Sequence, residues 1–324
     1  MVLANQHFIA ASPFEDKLKN WLLERDWKIE CYTNEGQQNR LLTIRPKSHN
    51  PSQVLVLLHA TGFDALYPHV VYIRECLKAN IAILAMDLPG HGAQSRGFLD
   101  EEALLRAPSL ARRYAGEIFG PHLQTVSGLG LSLGGGLLAY DAACAPTKNI
   151  PKWSAIAVIA APTHLRSSLF YLRELISPWQ KPWREASEYY NRWEKFPSFL
   201  SFKRQTYPIR IANSVPYLSR IDQVLRSASR ACLALDQVRR SSIAVPSYFL
   251  YSRGDRVAPT DQGWVWASCF PDPVFAEEQS LTHYNLLQSL EGAKKACQFL
   301  ANDGPKLASG GSSNESSAKP ISSE

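Results

Sequence analysis

The 324-residue chain has no run of eighteen apolar residues, no C-x-x-C pair, no block of lysine and arginine, and no apolar stretch after a basic start. Each absence removes a class of function. Without a long apolar run, no membrane-spanning helix is expected. Near the N-terminus Asn5, Gln6 and His7 interrupt early and Glu15, Asp16, Lys17 and Lys19 follow, so no export leader is expected and a soluble, cytoplasmic protein is. The net charge of +6 is modest and scattered, which argues against nucleic acid as a partner. The six cysteines (Cys31, Cys76, Cys144, Cys232, Cys269 and Cys297) lie far apart, several within apolar helical stretches. That pattern predicts buried free thiols in a reducing compartment rather than a disulfide framework.

What is present is enough apolar material, 45% of the residues, for one large α/β core with an insertion or for two small domains. An amphipathic helix is predicted over 14–26. A hairpin follows, with strands at 27–33 and 40–45 about the turn Asn34-Glu35-Gly36. Continuous Val/Leu/Ile runs at 53–58 and 81–86 have the character of strands buried on both faces, and further strands are predicted at 122–129, 153–160, 246–251 and 274–278. Helices are expected at 67–79, 100–118, 133–143 and 261–270, with a last one opening at 280–285 and running to about 300.

Between the sixth and seventh of these strands, residues 163–242 differ in character: they are rich in Trp, Tyr, Phe and Arg. An insertion of this length inside a domain usually has its own task. It reads as a helical cap over the sheet, with a core formed by 1–162 and 243–302. Some of its aromatics should line a pocket or face a partner, and its arginines would suit transient contact with an anionic membrane surface, although solvated helix faces account for them equally well. Residues 303–324 are Gly, Ser, Asn and Lys with almost no large apolar side chains, and are expected to be a disordered tail.

The stretch with most chemical content is Gly128-Leu-Gly-Leu-Ser132-Leu-Gly-Gly-Gly136, in which Gly130, Ser132 and Gly134 make G-x-S-x-G. A serine hydroxyl is a weak nucleophile unless held exposed beside a base, and a sharp turn between a buried strand and a helix provides that exposure. Such a turn crowds the backbone two places either side of the serine, where glycine fits. A phosphate-cradling loop is the competing use of so many glycines. Here no Lys-Ser/Thr ending follows, and G-x-G-x-x-G is met only loosely.

Two more residues stand at predicted strand ends: Asp255, in Gly254-Asp255-Arg256-Val257-Ala258-Pro259, and His283, in Ser280-Leu281-Thr282-His283. The order Ser132, Asp255, His283 is the one expected when the nucleophile sits on an elbow of this kind. His283 would take the Ser132 proton and Asp255 would orient the imidazole. Asp236 and Asp261 are the alternative acids, but neither directly follows a predicted strand. Oxyanion donors are expected from the backbone of Leu133, just after the elbow, and from the turn after the third strand, His59-Ala60-Thr61-Gly62. His59 itself reads as structural. Asp87 and His91, in the loop 87–95, are candidates for metal or acid/base work, though their surroundings have the composition of a turn rather than ligand spacing.

Together, His59-Ala-Thr-Gly62, Asp87-Leu-Pro-Gly-His-Gly-Ala-Gln-Ser95, Gly130-Leu-Ser-Leu-Gly-Gly135, Gly254-to-Pro259 and His283 resemble the α/β-hydrolase superfamily over residues 27–302. Within it the chain is most similar to the monoacylglycerol lipase, lysophospholipase and serine aminopeptidase-like branch. The resemblance implies a mostly parallel central sheet flanked by helices, and acyl-ester hydrolysis without cofactor or metal. It places the second oxyanion donor at Thr61 by alignment of His59. Two departures are visible: His-Ala-Thr-Gly stands where the family commonly has His-Gly, and Leu131 where lipase-like members usually carry His. The expected partner is a small, apolar ester such as a monoacylglycerol or lysophospholipid. The alternatives are acyl transfer or thioester cleavage with the same three residues, and a non-catalytic binding protein that keeps the fold.

Overall fold

A computed structural model describes residues 3–6, 19–20, 22–34, 37–61, 65–66, 70–91, 100–145, 150–165 and 214–303. Its centre is a sheet of nine strands: β1 (Leu3–Gln6), β2 (Trp27–Asn34), β3 (Gln37–Pro46), β4 (Gln53–Leu58), β5 (Ala82–Met86), β6 (Thr125–Leu131), β7 (Trp153–Ile159), β8 (Ser247–Ser252) and β9 (Val274–Glu278). The spatial order is β1-β2-β3-β5-β4-β6-β7-β8-β9. The β1–β2, β2–β3 and β3–β5 pairs are antiparallel, and every pair from β5 to β9 is parallel.

The reason lies in the side chains. Val54 to Leu58 and all of β5 are buried, as parallel strands covered on both faces must be. Each fully buried Val, Leu or Ile contributes about 1.5–3 kcal/mol. Helices α1 (Val70–Lys78), α2 (Glu101–Phe119), α3 (Leu133–Cys144), α4 (Ser214–Leu233), α5 (Gln237–Ser241), α6 (Thr260–Ala267), α7 (His283–Leu287) and α8 (Leu290–Gln298) accompany the sheet. Asp100 caps α2, its carboxylate accepting from the N–H groups of Glu102 and Ala103 at 3.0 and 3.3 Å.

The mostly parallel α/β architecture follows the sequence pattern, with local differences. β1 was not expected; it adds to the hairpin, so the stretch read as a cap follows the seventh strand instead of the sixth. The elbow strand starts at Thr125 and not at His122, because Gly120–His122, with Pro121 inside it, forms a 3₁₀ turn. The last helix is two, α7 and α8, because the Ser289 hydroxyl accepts from Gly292 N–H at 3.0 Å and caps a new start.

Residues 166–213, which hold most of the aromatics of the stretch read as a cap, lie outside the described residues, as do 14–18, 21 and the tail 304–324. Helix α4, also within the stretch read as a cap, packs against α3 and α2 through a buried face that includes Leu218, Ile221, Val224, Leu225 and Ala228.

One expectation is overturned. Cys76 on α1 and Cys297 on α8 form a disulfide, with Cα atoms 5.4 Å apart across 221 residues of sequence. Spacing along the chain cannot reveal such a pair, since the packing of α1 on α8 brings it together. Cys31, Cys144, Cys232 and Cys269 remain thiols. No described helix is long and apolar enough to cross a membrane.

Candidate active site

β6 ends at Leu131, and the chain reverses into α3 through Ser132, whose φ of 52° lies in the left-handed region. A non-glycine residue held there costs about 1–3 kcal/mol. The surroundings enforce it: Ser132 N–H donates to Ile159 O at 2.9 Å, and Gly134 N–H donates to His59 O at 3.1 Å. A Cβ on Gly130 would stand 2.5 Å from Gly134 O, and one on Gly134 would fall 2.7 Å from His59 O. Helix α3 therefore begins pressed against the ends of β4 and β6, which only glycine permits.

Ser132, His283 and Asp255 meet above this turn. His283 Nε2 lies 3.0 Å from Ser132 Oγ, and its Nδ1 lies 2.8 Å from Asp255 Oδ2. The other oxygen, Asp255 Oδ1, accepts from Val257 and Ala258 N–H at 2.8 and 2.9 Å. These bonds fix the carboxylate, so that Nδ1–H donates to it and Nε2 is left facing the serine hydroxyl. All three side chains are buried, with 2%, 1% and 1% exposure for Ser132, Asp255 and His283. A hydrogen-bonded line in so dry a place is electrostatically stronger than the same line in water.

A model of the alpha/beta hydrolase family matches residues 55–289 of this chain, the span that carries all of these groups. The chain belongs to the alpha/beta hydrolase family. No curated protein matches the sequence. Among solved structures, an esterase of Pyrococcus furiosus superposes with a TM-score of 0.52 at 14% identity, covering 86% of this chain and 93% of that one. A meta-cleavage product hydrolase of Pseudomonas fluorescens gives 0.57 at 12% identity, over 84% and 95%. A membrane phospholipase A described as a bacterial virulence factor gives 0.57 at 16%, over 90% and 92%. At these identities the likeness is one of fold.

The remaining sequence candidates of this alpha/beta hydrolase find other places. Leu133 opens α3, in whose first turn Gly134 N–H donates to His59 O and the Gly135 and Gly136 N–H groups donate to Ser132 O. Thr61 is buried in the turn after β4, the turn that the Gly134–His59 bond ties to the elbow; Gly62–Asp64 beside it lie outside the described residues. His59 accepts from Leu88 N–H at Nε2 (2.8 Å) and donates from Nδ1 to Ala60 O (2.8 Å). Burial holds its pKa below the ordinary histidine value. Asp87 pairs with Arg40 Nε at 2.9 Å and accepts from Ala65 N–H at 2.8 Å. His91 Nδ1 donates to Pro89 O at 3.0 Å, and its ring meets that of His59 edge-on at 5.1 Å. These contacts clamp the β5 loop to β3 and β4. Asp236 caps α5 by accepting from Arg239 N–H at 2.7 Å, and Asp261 lies in the first turn of α6.

Two supports had no sequence signal. Gln262, buried on α6, accepts from Thr163 N–H at 2.7 Å and fixes the chain leaving β7. Tyr251 donates to Ala161 O at 2.8 Å, joining β8, which leads to Asp255, to the segment beside the elbow.

Proposed function

We propose that this alpha/beta hydrolase cleaves carboxylic esters through an acyl-enzyme on Ser132. The observation that carries the reading is the position of His283, 3.0 Å from the Ser132 hydroxyl on one nitrogen and 2.8 Å from Asp255 on the other. Ser132 Oγ attacks the ester carbonyl as its proton passes to His283 Nε2. Asp255 holds the imidazole tautomer and stabilises the imidazolium. The tetrahedral oxyanion is taken by the backbone N–H of Leu133 and of Thr61, each worth about 2.7–4 kcal/mol. His283 then gives its proton to the leaving alcohol, and water, activated by the same nitrogen, releases the acid. None of these steps needs a cofactor or metal.

The acyl group is apolar, as in a monoacylglycerol or lysophospholipid. Support comes from the aromatic composition of 166–213, between β7 and α4, and from a fold shared with a membrane phospholipase A. The test is intact mass after incubation with a fluorophosphonate, beside Ser132→Ala, followed by turnover of p-nitrophenyl esters of increasing chain length. One adduct that disappears in the variant is expected, together with a preference for longer chains. A folded wild-type protein that takes no adduct would remove the reading.

A further inference from the structure

Away from Ser132, three thiols from three elements converge. Cys144 ends α3, Cys232 lies near the end of α4, and Cys269 follows α6. Cys144 Sγ and Cys232 Sγ are 3.5 Å apart, and Cys269 is close enough to Cys232 to shift its titration. Cys144 is partly exposed, whereas Cys232 and Cys269 are buried. No group of His, Cys, Asp or Glu among the described residues has an arrangement that holds a metal ion, so the cluster needs another account.

We infer that this cluster is an oxidative modification site, in which Cys144 reacts with a hydroperoxide and Cys232 captures the product as a disulfide. The geometry divides the roles. The attacking thiol must be reachable, and Cys144 is the partly exposed one. The resolving thiol must be adjacent and protected, and Cys232 is both. The hydrogen bond between the two sulfurs holds the Cys144 thiol below the ordinary cysteine value and pushes Cys232 above it, in the same sense as the roles that exposure assigns. The Cys269 thiol is lowered by its contact with Cys232 and by the nearby Arg240 guanidinium.

In the first step Cys144 thiolate attacks the terminal peroxide oxygen. The O–O bond breaks, the alkoxide leaves and is protonated to the alcohol, and Cys144 becomes a sulfenic acid. In the second, the Cys232 sulfur attacks the sulfenic sulfur. The S–S bond forms, the S–O bond breaks, and hydroxide leaves as water with the Cys232 proton. Two thiols lose two electrons and the hydroperoxide gains them. A Cys269 thiolate can then attack Cys232, moving the bridge to the buried pair and releasing Cys144 as thiolate. Either bridge ties α4 to its neighbour, through α3 or through the end of α6. This chemistry is separate from Ser132, which sits at the opposite end of α3.

The experiment uses the full chain, reduced, desalted and titrated with hydrogen peroxide, followed by non-reducing peptide mapping. Cys31, a partly exposed thiol outside the cluster, is the internal reference. The expected result is a bridged peptide containing Cys232, joined to Cys144 or Cys269, with Cys144 consumed several-fold faster than Cys31. Dimedone present during oxidation should suppress the bridge and label Cys144, and Cys232→Ala should accumulate that label without a bridge. If the variant does not fold, the dimedone competition on the wild-type chain carries the same test. Oxidation of Cys144 no faster than Cys31, or its passage to sulfinic acid with no bridge to Cys232, overturns the proposal.

Discussion

Ser132 stores backbone strain, and its neighbours prevent its release. The two flanking glycines leave no room for a methyl group, and at Gly134 the obstacles are backbone atoms of Leu58 and His59, which cannot rotate away. Gly134→Ala is therefore expected to cost about 1–3 kcal/mol in chemical denaturation and to lower ester turnover, because α3 must shift and carry Ser132 with it. Asp255 acts through hydrogen bonds in two directions, to His283 and to the Val257 and Ala258 N–H groups. In Asp255→Asn the amide can donate towards His283 Nδ1, which favours the tautomer that places a proton on Nε2, against the serine. Turnover should fall about three to four orders of magnitude with the fold retained. A loss under tenfold in steady-state kinetics would mean that another acid serves His283.

At the scale of elements, the site is held together by groups that gave no sequence signal. Arg112 on α2 and Asp141 on α3, both fully buried, pair at 2.8 Å. Asp141 also accepts from Trp153 Nε1 at 2.7 Å and from Ser109 Oγ, and Arg112 donates to Pro151 O at 2.8 Å. Burial pushes the Asp141 carboxyl up and the Arg112 guanidinium down, while their mutual attraction opposes both shifts. The pair joins the elbow helix to α2 and β7. Asp141→Ala leaves a buried guanidinium uncompensated, and a loss of about 3–5 kcal/mol in unfolding free energy is expected. Arg112→Met together with Asp141→Leu should recover much of it, because no charge is then left buried.

These partners show what a sequence makes legible. The elbow can be read because its requirements are local, a serine with glycines two places away between an apolar strand and a small helix. Asp255 and His283 can be read because the ends of parallel strands share one edge. Arg112 with Asp141, Gln262 with Thr163, and Cys76 with Cys297 depend on how helices pack, and nothing local marks them. The split at Ser289 was hidden for another reason: apolar periodicity continues across it, and one capping hydroxyl decides the break.

For the molecule as a whole, the clearest solvent response is to acid. Burial, reinforced by His59 against it, lowers the His91 pKa from the ordinary 6.5 to about 3. A lowered folded-state value means that the unfolded chain takes up a proton between these two pH values while the folded protein does not. Stability from this group is then complete above pH 6.5 and declines as the pH falls towards 3. The slope is about 1.4 kcal/mol per pH unit, so roughly 2 kcal/mol separates pH 7 from pH 5. His59 shifts in the same direction for the same first reason and adds to the slope. Carboxylates titrate mainly below this range, which lets the histidine contribution be isolated by substitution. In His91→Gln, urea unfolding at the two pH values should show a gap smaller by about 2 kcal/mol than in the wild-type chain, whatever the variant's own stability at pH 7. An unchanged gap would mean that His91 gains its proton without unfolding, and that the β5 loop clamped to β3 and β4 opens to water in the folded protein.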